Sequence, residues 1–177
     1  MHNIGFALND GEGAQIHFRG TKITVKVSKE DSDGKYTMLE MVHPPNVGQA
    51  LHIHPNAPEA YYILEGKYQI RCGKELFHAQ RGDFVFIPKG IEHKYQSSSN
   101  GGKVLVISPA GLEKYFKEIA DTLSIGPITW ELEQEIACRY GQEFLESLKH
   151  WDNRMRLYLL RFKNREEICW GSLSYRY

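Results

Sequence analysis

Short runs of apolar or alternating residues, separated by turn residues, fill the chain from about Thr21 to Pro109. The breaks between the runs are rich in Gly, Pro, Asn and Asp, the residues that tight turns require. The pattern predicts short strands at residues 21–28, 36–42, 50–54, 60–64, 68–72, 75–79, 83–87, 92–96 and 103–108. Many short strands at close spacing are typical of a β-sandwich or β-barrel.

Beyond Pro109 the apolar residues change to helical spacing. Residues 111–123 carry apolar side chains at that spacing, and a second helical run extends over 129–140. Thr129 and the acidic residues that follow it favour a helix start, and Gly141 favours a stop. We expect both helices to pack on the outside of the barrel.

These patterns divide the chain into three parts around one hydrophobic core. Residues 1–109 are expected to form an all-β barrel domain with N-terminal strands, and residues 110–147 a helical extension. Residues 148–177 form a tail whose apolar positions fit helical spacing and strand alternation equally, so both structures stay open there. The basic residues of the tail are typical of a solvated or interface-lining face.

Composition narrows the choice of partners. Lys plus Arg equals Asp plus Glu at 22 each, so no net field attracts nucleic acid or an anionic membrane. A small-molecule substrate is the expected partner. The N-terminus lacks a basic segment followed by a long apolar one, which favours a cytoplasmic protein. The odd number and wide spacing of Cys72, Cys138 and Cys169 predict reduced packing residues rather than a disulfide framework.

The most informative segment contains His52, His54 and Glu59. Successive side chains of a strand alternate between its faces, so His52 and His54 lie on the same side, close enough to chelate one ion. The turn at 55–58 reverses the chain, and Glu59 then begins the next strand, where its carboxylate can approach the two rings. One short stretch therefore offers two nitrogen donors and one oxygen donor.

A second segment, 82–97, consists of a strand, a Pro/Gly turn and another strand that carries His93. In a small closed barrel this strand can lie beside the first pair, and His93 then completes a set of three His and one Glu. Such a set suits one divalent transition metal ion per chain, with positions left for water or substrate. Imidazole and carboxylate bind Fe, Ni, Mn, Cu and Zn alike, so the identity of the metal stays open.

Together, the two segments resemble the paired motifs of the cupin superfamily. The first motif has Gly, His-x-His, a Glu and a later Gly, and the second has Gly-x5-Pro-x-Gly-x2-His-x3-Asn. The four metal-ligand positions are occupied here by His52, His54, Glu59 and His93. Two positions depart from the pattern, because Gly48 lies closer to the first His and Ser97 replaces the final Asn. The resemblance covers about Thr21 to Pro109 and implies a jelly-roll barrel, a double-stranded β-helix, with the metal inside.

A narrower resemblance connects the chain with quercetin 2,3-dioxygenase-like single-domain cupins. It is carried by residues 54–66, by 108–116 after the barrel, and by the later run 140–145. The resemblance implies a metal-dependent dioxygenase that uses O2 on a small aromatic or enolic hydroxylated substrate. Glu59 is the acid of the ligand set and hence the expected base for the substrate proton.

Further residues are candidates with weaker support. Tyr61 and Ile63 share strand parity with Glu59, and Tyr95 shares it with His93, so these three could line a substrate cavity or simply fill the core. The remaining histidines lack neighbours typical of ligands and are expected on the surface or in loops: His2, His17, His43, His78 and His150.

Two other functions remain open from the sequence. One is a non-redox cupin isomerase or epimerase that uses the metal as a Lewis acid, and the other is a non-catalytic module that binds a metal and a small ligand. Fold alone does not choose among the three functions.

The run 104–107 is apolar at every position, so we expect it to be covered on both faces, by the barrel interior and by the terminal helices or a second subunit. Single-domain cupins commonly pair, which implies a homodimer.

Overall fold

The computed structural model describes residues 5–145. The strands are β1 (Ala14–Phe18), β2 (Thr21–Val27), β3 (Thr37–His43), β4 (His52–Ile53), β5 (Glu59–Cys72), β6 (Glu75–Gln80), β7 (Phe84–Ile87), β8 (His93–Ser108) and β9 (Glu143–Phe144). The helices are α1 (Leu112–Ile125) and α2 (Trp130–Arg139). The tail predicted at 148–177 lies outside the described residues.

All strand pairs are antiparallel, and two long strands hold the barrel together. Residues 59–66 of β5 and 102–108 of β8 pair with each other, with β7 on one side and β3, β2 and β1 on the other. Residues 67–72 of β5 and 93–97 of β8 pair again, now flanked by β6 and by β4 and β9. The expected jelly-roll barrel with two C-terminal helices is confirmed.

Glycines allow β5 and β8 to bend from one half of the barrel into the other. Gly66 has φ +77° and Gly101 has φ +74°, a region that only glycine enters at little cost. A Cβ on Gly66 would lie 2.5 Å from the carbonyl oxygen of Gly101, so the two backbones meet too closely for any side chain. The predicted strand ends at these glycines were wrong, because the strands continue through the bends.

Helix α1 closes one side of the barrel. It lays Tyr115, Phe116 and Ile119 inward, and the Phe116 ring meets Phe18 of β1 edge-on at 5.0 Å between centroids. Burial of side chains of this size contributes about 1.5–3 kcal/mol each. The helix therefore covers the β1 side of the barrel, as its apolar stripe predicts. No helix among residues 5–145 has the length and apolar character that a membrane crossing needs.

The outer face of β8 is not covered by the helices. Val104 and Val106 point into the core, whereas Leu105 is half-buried and Ile107 is 39% exposed. The terminal helices or a second subunit were expected to cover the outer face of the run 104–107. Among the described residues, the two helices do not cover it. A second subunit stays a prediction.

After α2 the chain turns at Gly141 and returns as the two-residue strand β9 beside β4. Neither β9 nor β1 was predicted from the pattern. Cys72 and Cys138 are free, as expected, but Cys138 is exposed and so does not pack in the core; Cys169 lies outside the described residues.

Candidate metal centre

Three strands bring the four predicted ligands together at one end of the barrel. His52 of β4 and His54, directly after that strand, lie with 4.9 Å between their ring centroids, and His93 of β8 is the register partner of His52, with 4.2 Å between their ring centroids. Glu59 begins β5, directly after the turn. Each residue offers one ligand atom, and these atoms all lie within 4.8 Å of one another. The group is buried, with Glu59, the most accessible of the four, only 3% exposed.

Backbone carbonyls fix the orientation of all three imidazoles. Each ring has its Nδ1 atom within hydrogen-bond distance of a main-chain oxygen, which directs Nε2 towards the centre of the cluster. The oxygens that face His52, His54 and His93 belong to Ala50 at 2.7 Å, Gly141 at 3.0 Å and Ile91 at 2.8 Å. Within the described residues, Nε2 of His52 and Nε2 of His54 have no hydrogen-bond partner. Two buried ring nitrogens therefore face the cluster without a hydrogen-bond partner among the described residues.

The Glu59 carboxylate is held from several sides. Its Oε1 accepts a hydrogen bond from the Ser108 hydroxyl at 2.8 Å and lies 3.6 Å from Nε2 of His54. Its Oε2 accepts a hydrogen bond from the Tyr61 hydroxyl and lies 3.1 Å from Nε2 of His93. Because the imidazole nitrogens and the carboxylate face each other, a positive species must lie between them, either protons or a metal ion.

Electrostatics act differently on the four ligands. Burial lowers the pKa of His54, but its contacts with the Glu59 carboxylate raise that pKa above its usual value. Burial, reinforced by the neighbouring His93 and His54, holds the pKa of His52 well below its usual value, so this imidazole is neutral. Burial alone would raise the pKa of Glu59, but the neighbouring imidazoles of His54 and His93 bring the pKa well below the usual value. Three nitrogens and one carboxylate in a buried cluster match the donor set of a first-row transition metal. The residues therefore fit a metal ion, whose identity stays open.

The three predicted cavity residues all point into the barrel. Tyr61 is 1%, Ile63 0% and Tyr95 7% exposed, and the rings of Tyr61 and Tyr95 lie 5.5 Å apart. Tyr61 reaches the site directly through its hydrogen bond with Glu59. Contact of these residues with a substrate stays a prediction.

His43 was wrongly expected on the surface or in a loop. It is 4% exposed and bridges two tyrosine hydroxyls inside the barrel, with Nδ1 3.0 Å from Tyr68 and Nε2 2.9 Å from Tyr95. Burial lowers the pKa of His43 to about 3, so the ring is neutral. Its place could have been found from β3 alone, because His43 shares strand parity with the buried residues Leu39 and Met41.

The other histidines leave the ligand set unchanged. His17 and His78 are exposed, as expected, and His2 and His150 lie outside the described residues.

The two departures from the family motif shape the loop before β4. A Cβ on Gly48 would lie 1.9 Å from the carbonyl oxygen of Tyr95, so only glycine permits this approach of the loop to β8. The Ser97 hydroxyl donates to the Pro44 carbonyl at 2.7 Å and accepts from the Val47 amide at 3.1 Å. Both positions therefore hold the segment that leads to His52, and neither is a ligand.

A groove of about 570 Å³ opens elsewhere, between β5, β6 and β8. Its lining includes polar side chains such as Lys67, Gln69, His78 and Gln96, and none of the four ligands. The convergent titratable groups lie in the buried cluster instead, which makes that cluster the candidate site.

Known proteins match the central part of the chain. The cupin domain family matches residues 38–108. An uncharacterized protein of Methanocaldococcus jannaschii is 33% identical over 66 residues, which are 37% of this chain and 53% of that protein. The quercetin 2,3-dioxygenase of Bacillus subtilis is 23% identical over 106 residues, which are 60% of this chain and 32% of that enzyme. The chain thus spans about half of the archaeal relative and about a third of the Bacillus enzyme.

Solved structures support the same fold. A predicted oxalate decarboxylase from Thermotoga maritima superposes with a TM-score of 0.53 and 23% identity, covering 59% of this chain and 99% of that one. At this identity the likeness concerns the fold alone. The matched domain, the barrel fold and the four buried ligand side chains agree that residues 38–108 are similar to the cupin domain family.

Proposed function

We propose that this protein is a metal-dependent oxygenase that acts on a small enolic or aromatic hydroxylated substrate with O2. The observation that carries the proposal is the buried convergence of three imidazole Nε2 atoms and one carboxylate, in which two of the Nε2 atoms have no hydrogen-bond partner among residues 5–145. A bound transition metal would hold an enolate oxygen of the substrate and bring O2 to the same centre. The sequence similarity to quercetin 2,3-dioxygenase supports this reaction class.

Glu59 is suited to take the substrate proton. Its pKa lies well below the usual value, so the carboxylate is ionised and has lone pairs free to accept a proton. The low pKa makes it a weak base, so transfer requires an enol that is itself acidified, as one held by a metal would be. The hydroxyls of Tyr61 and Ser108 donate to its two oxygens, which fixes the direction in which the remaining lone pairs point. A proton taken at one oxygen would be held within this hydrogen-bond network, away from bulk water.

The interior of the barrel limits the size of the substrate. Behind the cluster, the space is filled by His43, Tyr61, Tyr68 and Tyr95, each no more than 7% exposed. Cys72, the register partner of His93, is half-buried. We therefore expect a compact substrate.

The same filling of the barrel favours a second candidate, a non-catalytic module that stores or senses a metal. The four ligands are almost inaccessible, and a tightly enclosed site retains an ion better than it exchanges a substrate. An isomerase of phosphorylated sugars is less favoured, because no Lys or Arg side chain is buried among residues 5–145 to bind a phosphate.

Oxygen consumption separates these functions. Protein purified without added metal is first analysed for its metal content and then screened in an oxygen electrode with flavonols and smaller enols. Glu59→Gln keeps the shape and one oxygen donor but cannot accept the proton, so at matched metal occupancy its rate should fall by about a hundredfold or more. Glu75→Gln, at an exposed acid of β6, is the matched control and should keep the wild-type rate.

The oxygen-consumption assay gives a different result for each candidate function. A metal-loaded Glu59→Gln protein that turns over at the wild-type rate would show that Glu59 is only a ligand. If metal-loaded wild type consumes no oxygen with any compound of the screen, the protein is not an oxygenase of these substrates, and the non-catalytic binding module becomes the assigned function.

A further inference from the structure

The segment Gly141–Leu145, directly after α2, lies against residues 52–54, which include two of the ligands. Phe144 is the register partner of His52, with 6.3 Å between the two rings, and the amide of Leu145 donates to the Leu51 carbonyl at 2.9 Å. This segment follows α2 and lies outside the matched cupin domain at 38–108. The edge of the ligand-bearing strand is therefore completed by a different part of the chain.

The segment supplies one of the three acceptors that orient the imidazoles. His52 and His93 use carbonyls two residues before them in the chain, at Ala50 and Ile91. His54 instead uses the carbonyl of Gly141, which is distant in sequence. The orientation of the His54 ring consequently depends on the position of the segment Gly141–Leu145.

Gln142 holds this segment in place. Its side chain is 0% exposed, and its Oε1 accepts a hydrogen bond from the Gln49 side chain at 2.9 Å. Gln49 directly precedes Ala50, the acceptor for His52, and Gln142 directly follows Gly141, the acceptor for His54. The side-chain bridge between the two glutamines thus connects the two carbonyls that orient the two rings.

Gln142 is a destabilising residue at a position this deeply buried. Its Nε2 is buried and has no hydrogen-bond partner among the described residues. An unsatisfied buried donor costs about 1–3 kcal/mol, so a leucine of similar volume would pack at lower cost. A cost of this kind is typical of a residue kept for the site rather than for stability.

We infer that Gln142 is a positioning residue of the metal centre, acting through Gly141 on His54 and, with Gln49, linking the supports of His54 and His52. The inference rests on the metal-binding part of the proposed function and does not depend on the reaction. Outer residues of this kind typically change metal affinity by about 10–100-fold.

Cobalt(II) is a suitable probe, because its visible spectrum reports the geometry of the ligands. Gln142→Leu, Gln49→Leu and the double variant are compared with wild type in full-length protein for Co(II) affinity, for the spectrum at saturation and for the melting temperature of the metal-free form. Glu143→Gln, at the exposed neighbour on β9, is the matched control.

Each single leucine variant should bind Co(II) about 10–100-fold more weakly and shift its visible bands, and the double variant should be no weaker than the worse single one. Glu143→Gln should match wild type. Unchanged affinity and spectrum, whatever the melting temperature, would overturn the inference and leave Gln142 a structural residue. If Gln142→Leu fails to fold, Gln49→Leu decides by the same criteria. A wild type that binds no Co(II) would overturn the metal site itself and the inference with it.

Discussion

Replacing His43 by Gln should change how the stability of the protein depends on pH. His43 is neutral in the fold, because burial lowers its pKa to about 3 from an ordinary value of 6.5. Between these two values the unfolded chain binds a proton that the folded chain does not. Stability therefore falls as the pH decreases through this window, by about 1.4 kcal/mol per pH unit, and is unaffected by this group above it.

The pH range between the folded and unfolded pKa values of His43 sets the expected difference in free energy of unfolding between wild type and His43→Gln. At pH 8 the variant should be less stable by about 1–3 kcal/mol, because the contacts with Tyr68 and Tyr95 are only partly replaced. Between pH 6.5 and pH 5 the wild type loses about 2 kcal/mol through His43 that the variant does not lose. The difference in free energy of unfolding should therefore shrink by that amount, or change sign.

Urea denaturation between pH 5 and pH 8 measures this difference. A chelator is present throughout, so that metal release does not contribute to the pH dependence. His78→Gln, at an exposed histidine, sets the background for loss of an imidazole. A difference between wild type and His43→Gln that stays constant over this pH range would refute the buried, neutral state of His43.

Three further predictions concern the loop before β4, the metal and assembly. Gly48→Ala places a Cβ 1.9 Å from the Tyr95 carbonyl oxygen, so it should lower the free energy of unfolding by about 1–3 kcal/mol and weaken Co(II) binding; Gly126→Ala, which has open space, should do neither. Removing the metal from wild type should lower the melting temperature, since free metal at a hundred times its dissociation constant stabilises the fold by about 2.7 kcal/mol; equal curves with and without chelator would contradict this. A homodimer should form through the exposed apolar face of β7, β5 and β8, where Phe86 is 54% exposed. Phe86→Glu should then lower the dimer affinity at least about a hundredfold, measured by light scattering, whereas Phe77→Glu on β6 should not change it. A wild type that is monomeric at micromolar concentration would contradict this prediction.

The ligand set could be predicted from sequence because each ligand depends on local geometry. Strand alternation places His52 and His54 on one face, and a short turn brings Glu59 back beside them. His93 required only that a closed barrel bring distant strands together. The structure adds the register that pairs His52 with His93.

Other features depended on tertiary contacts that leave little trace in the pattern. Gly66 and Gly101 look like turn residues, yet they are bends within continuous strands, because the backbone hydrogen bonds resume on both sides. Strand β9 has only two residues and so carries no periodicity of its own. Gln142 and the carbonyl of Gly141 act through hydrogen bonds with distant residues, and no local pattern identifies such contacts.

The central claim is that the buried cluster holds one transition metal ion. Elemental analysis of wild type and His93→Ala, purified side by side without added metal and then dialysed against the same trace-metal buffer, tests it most directly. Removal of one of four converging ligands should weaken binding severely, since the other three cannot enclose the ion. We expect about one equivalent of a transition metal per wild-type chain and most of it lost from His93→Ala, with both proteins folded by circular dichroism. Equal metal content in the two proteins would contradict the account.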